Sequence, residues 1–125
     1  MDNEAKIQYL ANIYYLVRAD GQVGASEEDV MEAVAEGMGV GYLETRKALD
    51  KSMEKGFAVG YPKRWSDRIR NLEDMLLVAY ADYKLSSVEK GVLGEFAHKL
   101  GISQKQFDLI KEETKERFRE MKKKK

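Results

Sequence analysis

Four carboxylates occupy matched places in the chain and are the residues best suited to bind a metal ion. Asp20 and Asp82 each follow an apolar helical pattern, and Glu27 and Glu89 each come seven residues later, in the first turn of the next helix. Carboxylate oxygens are preferred ligands of Mg²⁺ and Ca²⁺. The four acids therefore predict a divalent-cation site if the fold brings the two loops together. The alternative is structural: such an aspartate can bind loop amides, and such a glutamate is an ordinary helix cap.

The residue types rule out a calcium hand and argue against a catalytic centre. An EF-hand needs an acid at loop position 12, and counting from Asp20 puts Met31 there. The chain has no cysteine and one histidine, His98, which the helical pattern places on the solvent side. No serine is paired with a candidate base, so we expect no enzymatic activity.

The charge distribution suggests a second kind of site. Residues 1–60 carry 11 acidic and 6 basic side chains, and residues 61–125 carry 11 acidic and 16 basic ones, so the net charges are −5 and +5. Glu28, Glu32 and Glu36 belong to the acidic second helix, which is expected to dock a basic protein partner. The alternative is that the two ends of the molecule only differ in solvation.

The tail, 119–125, ends in four lysines. Lysines favour the C-terminal end of a helix dipole and remain solvated, and peripheral contact with an anionic membrane is the alternative. Without interleaved aromatic residues the tail predicts no specific nucleic-acid recognition. No signal peptide and no apolar run of about 18–20 residues is visible, so we expect no transmembrane segment and a cytoplasmic protein.

Apolar residues recur at helical spacing, and no alternating stretch of useful length predicts a strand. A first helix is expected over about 4–19, and a second ends at Gly39. A third pattern is weaker and depends on three apolar residues, Leu43, Leu49 and Met53. The segment 57–65 contains the only proline and is expected to be a linker. The predicted class is all-α.

Capping signals mark the last three helices. The fourth is expected to begin near Ser66 and Asp67. It contains an apolar stretch, 75–81, that predicts the most buried helix. The fifth opens at Ser86 and the sixth at Ser103, each with a Glu or Gln three residues later, as in a capping box.

The chain matches itself at an offset of 62 residues without a gap. The matched pairs include Leu10 with Leu72, Ala19 with Ala81, Asp20 with Asp82, Glu27 with Glu89, Val30 with Val92 and Gly39 with Gly101. Two halves, about 5–56 and 66–118, would bury their apolar faces against each other. We therefore predict a single domain, 1–125, that is a compact helical bundle of about six to seven helices built from two pseudo-repeated halves.

The repeated sequence resembles the TerB-like family, which includes tellurite-resistance proteins and the N-terminal domain of a membrane-anchored co-chaperone. The resemblance depends on Ala-Asp-Gly at 19–21, the acid at Glu27 and apolar-Gly-apolar at 38–40, with a second copy at 81–102. It implies an all-helical, non-enzymatic binding module in a stress-response or metal-resistance system, with metal bound through shared acids. Gly21 is expected to have positive φ. Tyr83 stands at the corresponding position of the second half, where the same conformation would strain tyrosine by about 1 kcal/mol.

Overall fold

The computed structural model describes residues 1–19, 21, 23–82 and 85–123, with the backbone but not the side chain of Asp82. Within these residues the chain forms six α-helices and no strand. The helices are α1 (Asn3–Val17), α2 (Ala25–Gly37), α3 (Tyr42–Ser52), α4 (Trp65–Ala79), α5 (Ser87–Lys99) and α6 (Gln104–Lys123), and a single 3-10 turn (Tyr80–Asp82) follows α4. The predictions of an all-α class and a compact helical bundle are confirmed.

Helix α4 lies at the centre of the bundle, as its apolar sequence predicted. It packs against α1, α2, α5 and α6. Six of its apolar side chains are at most 1% exposed: Leu72, Met75, Leu76, Leu77, Val78 and Ala79. A helix apolar on nearly every face gains most from burial when other helices cover it on all sides.

The ends of α2 and α5 follow the sequence signals closely. Gly39 and Gly101 have φ of 72° and 79°, the left-handed conformation that glycine adopts at little cost. In each case the residue after the glycine donates its amide to a carbonyl five residues earlier, Val40 to Ala35 and Ile102 to Ala97. This Schellman arrangement satisfies carbonyls that the helix end leaves free.

The predicted apolar face of α3 is wrong in part. Leu43 is 70% exposed and Met53 is 50% exposed, whereas Ala48 and Ser52 are buried. Helix α3 packs mainly on α1, and small side chains at the contact allow two helices to approach closely. The Ser52 hydroxyl is satisfied locally because it donates to the Leu49 carbonyl at 2.6 Å.

Helix α4 also begins earlier than expected. Its N-cap is Arg64, so Ser66 and Asp67 lie inside the first turn rather than at its start. Arg68 donates from Nε to the Pro62 carbonyl at 2.6 Å, which ties the first turn to the preceding segment. Asp67 still stabilises the helix dipole from this position.

The segment expected to be a linker is packed on the core. Phe57, Val59 and Tyr61 are partly buried against it. The Gly60 amide donates to Asn12 Oδ1 at 3.1 Å, and Asn12 Nδ2 donates back to the Gly60 carbonyl at 2.7 Å. Gly60 lies in neither a helix nor a sheet, so these two bonds to the Asn12 side chain satisfy its backbone amide and carbonyl.

Helix lengths agree with the 62-residue offset. Helices α1 and α4 each have 15 residues, α2 and α5 each have 13, and both pairs begin 62 residues apart. Helices α3 and α6 also begin 62 residues apart but have 11 and 20 residues. These agreements are local, and the relation of the two halves in space stays a prediction.

Gly21 has a φ of +143°, which confirms the predicted positive value. This conformation is essentially restricted to glycine and costs other residues about 1–3 kcal/mol. We expect Gly21→Ala to lower the free energy of unfolding by that amount in chemical denaturation. Gly91→Ala is the control. An added Cβ meets no atom within 4 Å at either glycine, and only Gly21 has a positive φ, so the comparison isolates the backbone strain. In α5 that change should stabilise by about 0.5–1 kcal/mol, and losses of similar size at both sites would contradict the argument.

Candidate functional site

Two of the four acids predicted to bind metal cap their own helices. Glu27 and Glu89 are 7% and 1% exposed. Glu27 accepts from the Gly24 amide at 2.9 Å, and Glu89 accepts from the Ser86 amide at the same distance. The Ser86 hydroxyl accepts in return from the Glu89 amide at 3.1 Å. Each carboxylate therefore satisfies an amide that the helix start leaves free.

The other two acids of the predicted cation site are not placed by the structure. Asp20, the side chain of Asp82 and Tyr83 lie outside the described residues. Among the described residues no group of three or more His, Asp or Glu side chains is arranged to hold a metal ion. The divalent-cation site at Asp20, Glu27, Asp82 and Glu89 therefore stays a prediction.

The three glutamates predicted to bind a partner line one groove between α2 and α3. Glu28, Glu32 and Glu36 form one wall, and the opposite wall includes Tyr42 and Thr45. The cavity is about 360 Å³. Residues four apart on a helix lie about 6 Å apart along its axis, so the carboxylates form a row. We call this surface the acidic groove.

Electrostatic repulsion within the acidic groove is not relieved by basic side chains of α2. The helix has no basic residue among its 13. Carboxylates four residues apart destabilise a helix by about 0.2–0.5 kcal/mol per pair. Burial, reinforced by Glu32 and Asp29, raises the pKa of Glu28 above its ordinary value. Burial, reinforced by Glu28 and Glu32, raises the pKa of Tyr14 to about 12. The part of each shift that comes from neighbouring carboxylates reflects a negative potential that a cation would relieve.

The edge of the acidic groove exposes large apolar side chains. Tyr42 is 77% exposed and its neighbour Leu43 is 70% exposed. Arg46 also lines the groove, but its Nε lies 3.4 Å from Asp50 in the next turn of α3. Exposed aromatic and apolar side chains beside charges are typical of protein interfaces.

The remaining sequence predictions concern the histidine and the tail. His98 is exposed, as predicted. Lys122 and Lys123 are exposed at the end of α6, and Lys124 and Lys125 lie outside the described residues. None of the described helices is long and apolar enough to cross a membrane.

A buried polar network between α1, α4 and the segment before α4 was not predicted from the sequence. Asn12 donates to Asn71 Oδ1 at 2.8 Å, and the Tyr9 hydroxyl donates to Asp74. Asp74 in turn lies 3.4 Å from Nη1 of Arg117 on α6. The signal was present in the sequence, since each helix carries two polar side chains three residues apart within its apolar stripe. The network joins α1, α4 and α6, and Asp74 at its centre is 3% exposed.

Comparisons with known proteins add no assignment. No family model matches the chain, and searches of curated proteins and of solved structures return no significant match. The resemblance to the TerB-like family therefore stays an expectation based on the short motifs of the sequence.

Proposed function

We propose that this protein is a non-enzymatic binding module that docks a basic segment of a protein partner in the acidic groove. The observation that carries the proposal is the gathering of Glu28, Glu32 and Glu36 along one wall of a single cavity. No described basic side chain lies within 4.0 Å of these carboxylates as an ion-pair partner.

A basic helix is the segment that fits the spacing best. Lysine or arginine residues four apart on such a helix would repeat at the same interval of about 6 Å as the carboxylates. Tyr42 and Leu43 would cover apolar side chains of the partner, and the charges would set its orientation and speed its association. The TerB-like resemblance is compatible with such a role in a stress-response system, and it is the reason for considering one.

The test is a titration with a fluorescent, lysine-rich amphipathic helical peptide followed by anisotropy. We expect binding at low salt that weakens as salt is raised, because salt screens exposed charges. Glu32→Lys and Glu36→Lys should each weaken binding by about tenfold. Adding Mg²⁺ or Ca²⁺ at constant ionic strength should have no further effect on peptide binding or on the melting temperature.

Asp29→Lys is the matched control. Asp29 is an exposed residue of α2 that does not line the acidic groove. The substitution changes the net charge by the same amount as the two Glu→Lys variants. An equal loss of peptide affinity in all three variants would mean that the overall charge of the protein, and not the acidic groove, determines binding. A metal-dependent rise in the melting temperature would instead favour the predicted cation site.

A further inference from the structure

A second groove lies between α5 and α6, and it has the opposite charge. Its cavity is about 490 Å³. The apolar floor includes Leu93, Ala97 and Phe107, which are at most 7% exposed. Two lysines, Lys90 and Lys111, stand at its edge together with the side chains of His98, Ser103 and Gln104. We call this surface the basic groove.

The basic groove and the acidic groove are lined from corresponding positions. Nine lining residues of one groove correspond to nine of the other at the offset of 62. The three acidic positions change character completely: Glu28 corresponds to Lys90, Glu32 to Gly94 and Glu36 to His98. Leu49 also corresponds to a cation, Lys111. Among the residues that the structure describes, no acidic side chain lines the basic groove.

The lysines of the basic groove are available to a ligand. Lys90 is exposed, and no described carboxylate forms an ion pair with it. Lys111 lies 3.4 Å from Asp108 and 5.1 Å from the centre of the Phe107 ring. Exposed ion pairs between neighbouring turns contribute little free energy, so a carboxylate of a partner could replace Asp108.

Gly94 leaves open space in the lining of the basic groove. It is exposed in the middle of α5, and an added Cβ would meet no atom within 4 Å. A glycine inside a helix costs about 0.5–1 kcal/mol relative to alanine. Position 94 therefore has room for a larger side chain, although the protein has glycine there.

We propose that the basic groove binds an acidic, partly apolar segment of a protein partner. Carboxylates of that segment would pair with Lys90 and Lys111, and its apolar side chains would cover Leu85 and Ile102, which line the groove and are only partly buried. Charge complementarity sets the occupant, because the edge is cationic and the floor is apolar. The proposal is independent of the acidic groove, and with both grooves occupied the chain would join one basic and one acidic segment.

The experiment uses a fluorescent amphipathic helical peptide with glutamate on one face and leucine on the other. It is titrated with the whole protein and followed by anisotropy. Gly94→Glu places a carboxylate inside the groove and should weaken binding by about tenfold. Gly94→Gln has nearly the same size without the charge and should weaken binding much less. Lys90→Glu should weaken it at least as strongly as Gly94→Glu.

Gly91→Glu is the control for charge outside the groove. Gly91 is also an exposed glycine of α5 with open space around it, and it does not line the basic groove. We expect a change below about twofold there. Equal losses with Gly94→Glu and Gly91→Glu would overturn the proposal, as would equal losses with Gly94→Glu and Gly94→Gln.

Two further outcomes identify a different occupant and would also overturn the proposal. One is tighter binding of a single-stranded oligonucleotide than of the acidic peptide, with the same loss in Gly94→Glu. The other is self-association of the unmodified protein in sedimentation that Gly94→Glu abolishes. Loss of basic-peptide binding in Glu32→Lys leaves this proposal standing, because the two grooves share no lining residue.

Discussion

Replacing Leu76 with alanine is expected to lower the free energy of unfolding by about 2–5 kcal/mol. Leu76 is fully buried in the helix that packs against four others. The substitution therefore removes side-chain atoms that are packed on every side. The surrounding helices can close the resulting cavity only partly. The measurement is urea unfolding followed by circular dichroism, with the midpoint and slope compared between variants.

Leu109→Ala is the matched control for this change. Leu109 is 57% exposed on α6, so the same atoms are removed from a site that buries much less of them. The expected loss is below about 1 kcal/mol. If Leu76→Ala were also this mild, α4 would not be the centre of the bundle.

The core helix was predictable because its signal is dense. In the stretch 75–81 every residue is apolar or aromatic, and such a segment can only be stable when it is surrounded. The glycines at 39 and 101 were equally informative, because few other residues adopt the backbone that ends a helix with positive φ. These features depend on single residues or short segments, so they can be predicted from the sequence without knowing how the helices pack.

The face of α3 was not predictable in the same way. Leu43 and Met53 suggested a buried stripe, but the residues that α3 buries are Ala48 and Ser52, and the helix packs mainly on α1. Which small residues lie at a helix contact depends on the partner helix, and this information is spread over distant parts of the chain. Leu43 instead lies exposed beside the acidic groove.

The candidate site was predictable in its residues but not in its shape. The sequence identified Glu28, Glu32 and Glu36 as a basic-partner surface from the absence of nearby positive charge. It did not reveal that these residues share a cavity with Tyr42, because the angle between α2 and α3 is set by packing around the turn. The basic groove was missed altogether, since Lys90, His98 and Lys111 are separated in the sequence and the two lysines are unremarkable among 22 lysine and arginine residues.

The buried contact between Tyr9 and Asp74 leads to the second prediction of large effect. Both residues are at most 3% exposed. Burial raises the pKa of Asp74 above its ordinary value of 3.8, while the Tyr9 hydrogen bond and the charges of Arg117 and Arg70 lower it in part. Burial and the nearby Asp74 charge also raise the pKa of Tyr9. The Tyr9 hydroxyl is therefore a donor that makes a costly buried carboxylate tolerable.

The sign of the pH effect follows from the raised pKa. Between 3.8 and its folded-state pKa, Asp74 holds its proton more tightly in the folded protein than in the unfolded chain. The Asp74 contribution to the free energy of unfolding therefore falls as pH rises through this window. Without the Tyr9 hydroxyl the pKa of Asp74 would rise further, which would widen the window and deepen the fall.

We expect Tyr9→Phe to destabilise the protein by about 1–3 kcal/mol at neutral pH. The loss should be smaller near pH 4, because Asp74 is then protonated in a larger share of both folded and unfolded molecules. Asp74→Asn keeps an oxygen that can accept from Tyr9 and removes the charge. In that background Tyr9→Phe should cost less and should lose its pH dependence. Urea unfolding of the four proteins between about pH 4 and pH 8 measures this cycle. A Tyr9→Phe loss of the same size at every pH and in both backgrounds would mean that the hydroxyl contributes only packing, with no stabilisation of the Asp74 carboxylate.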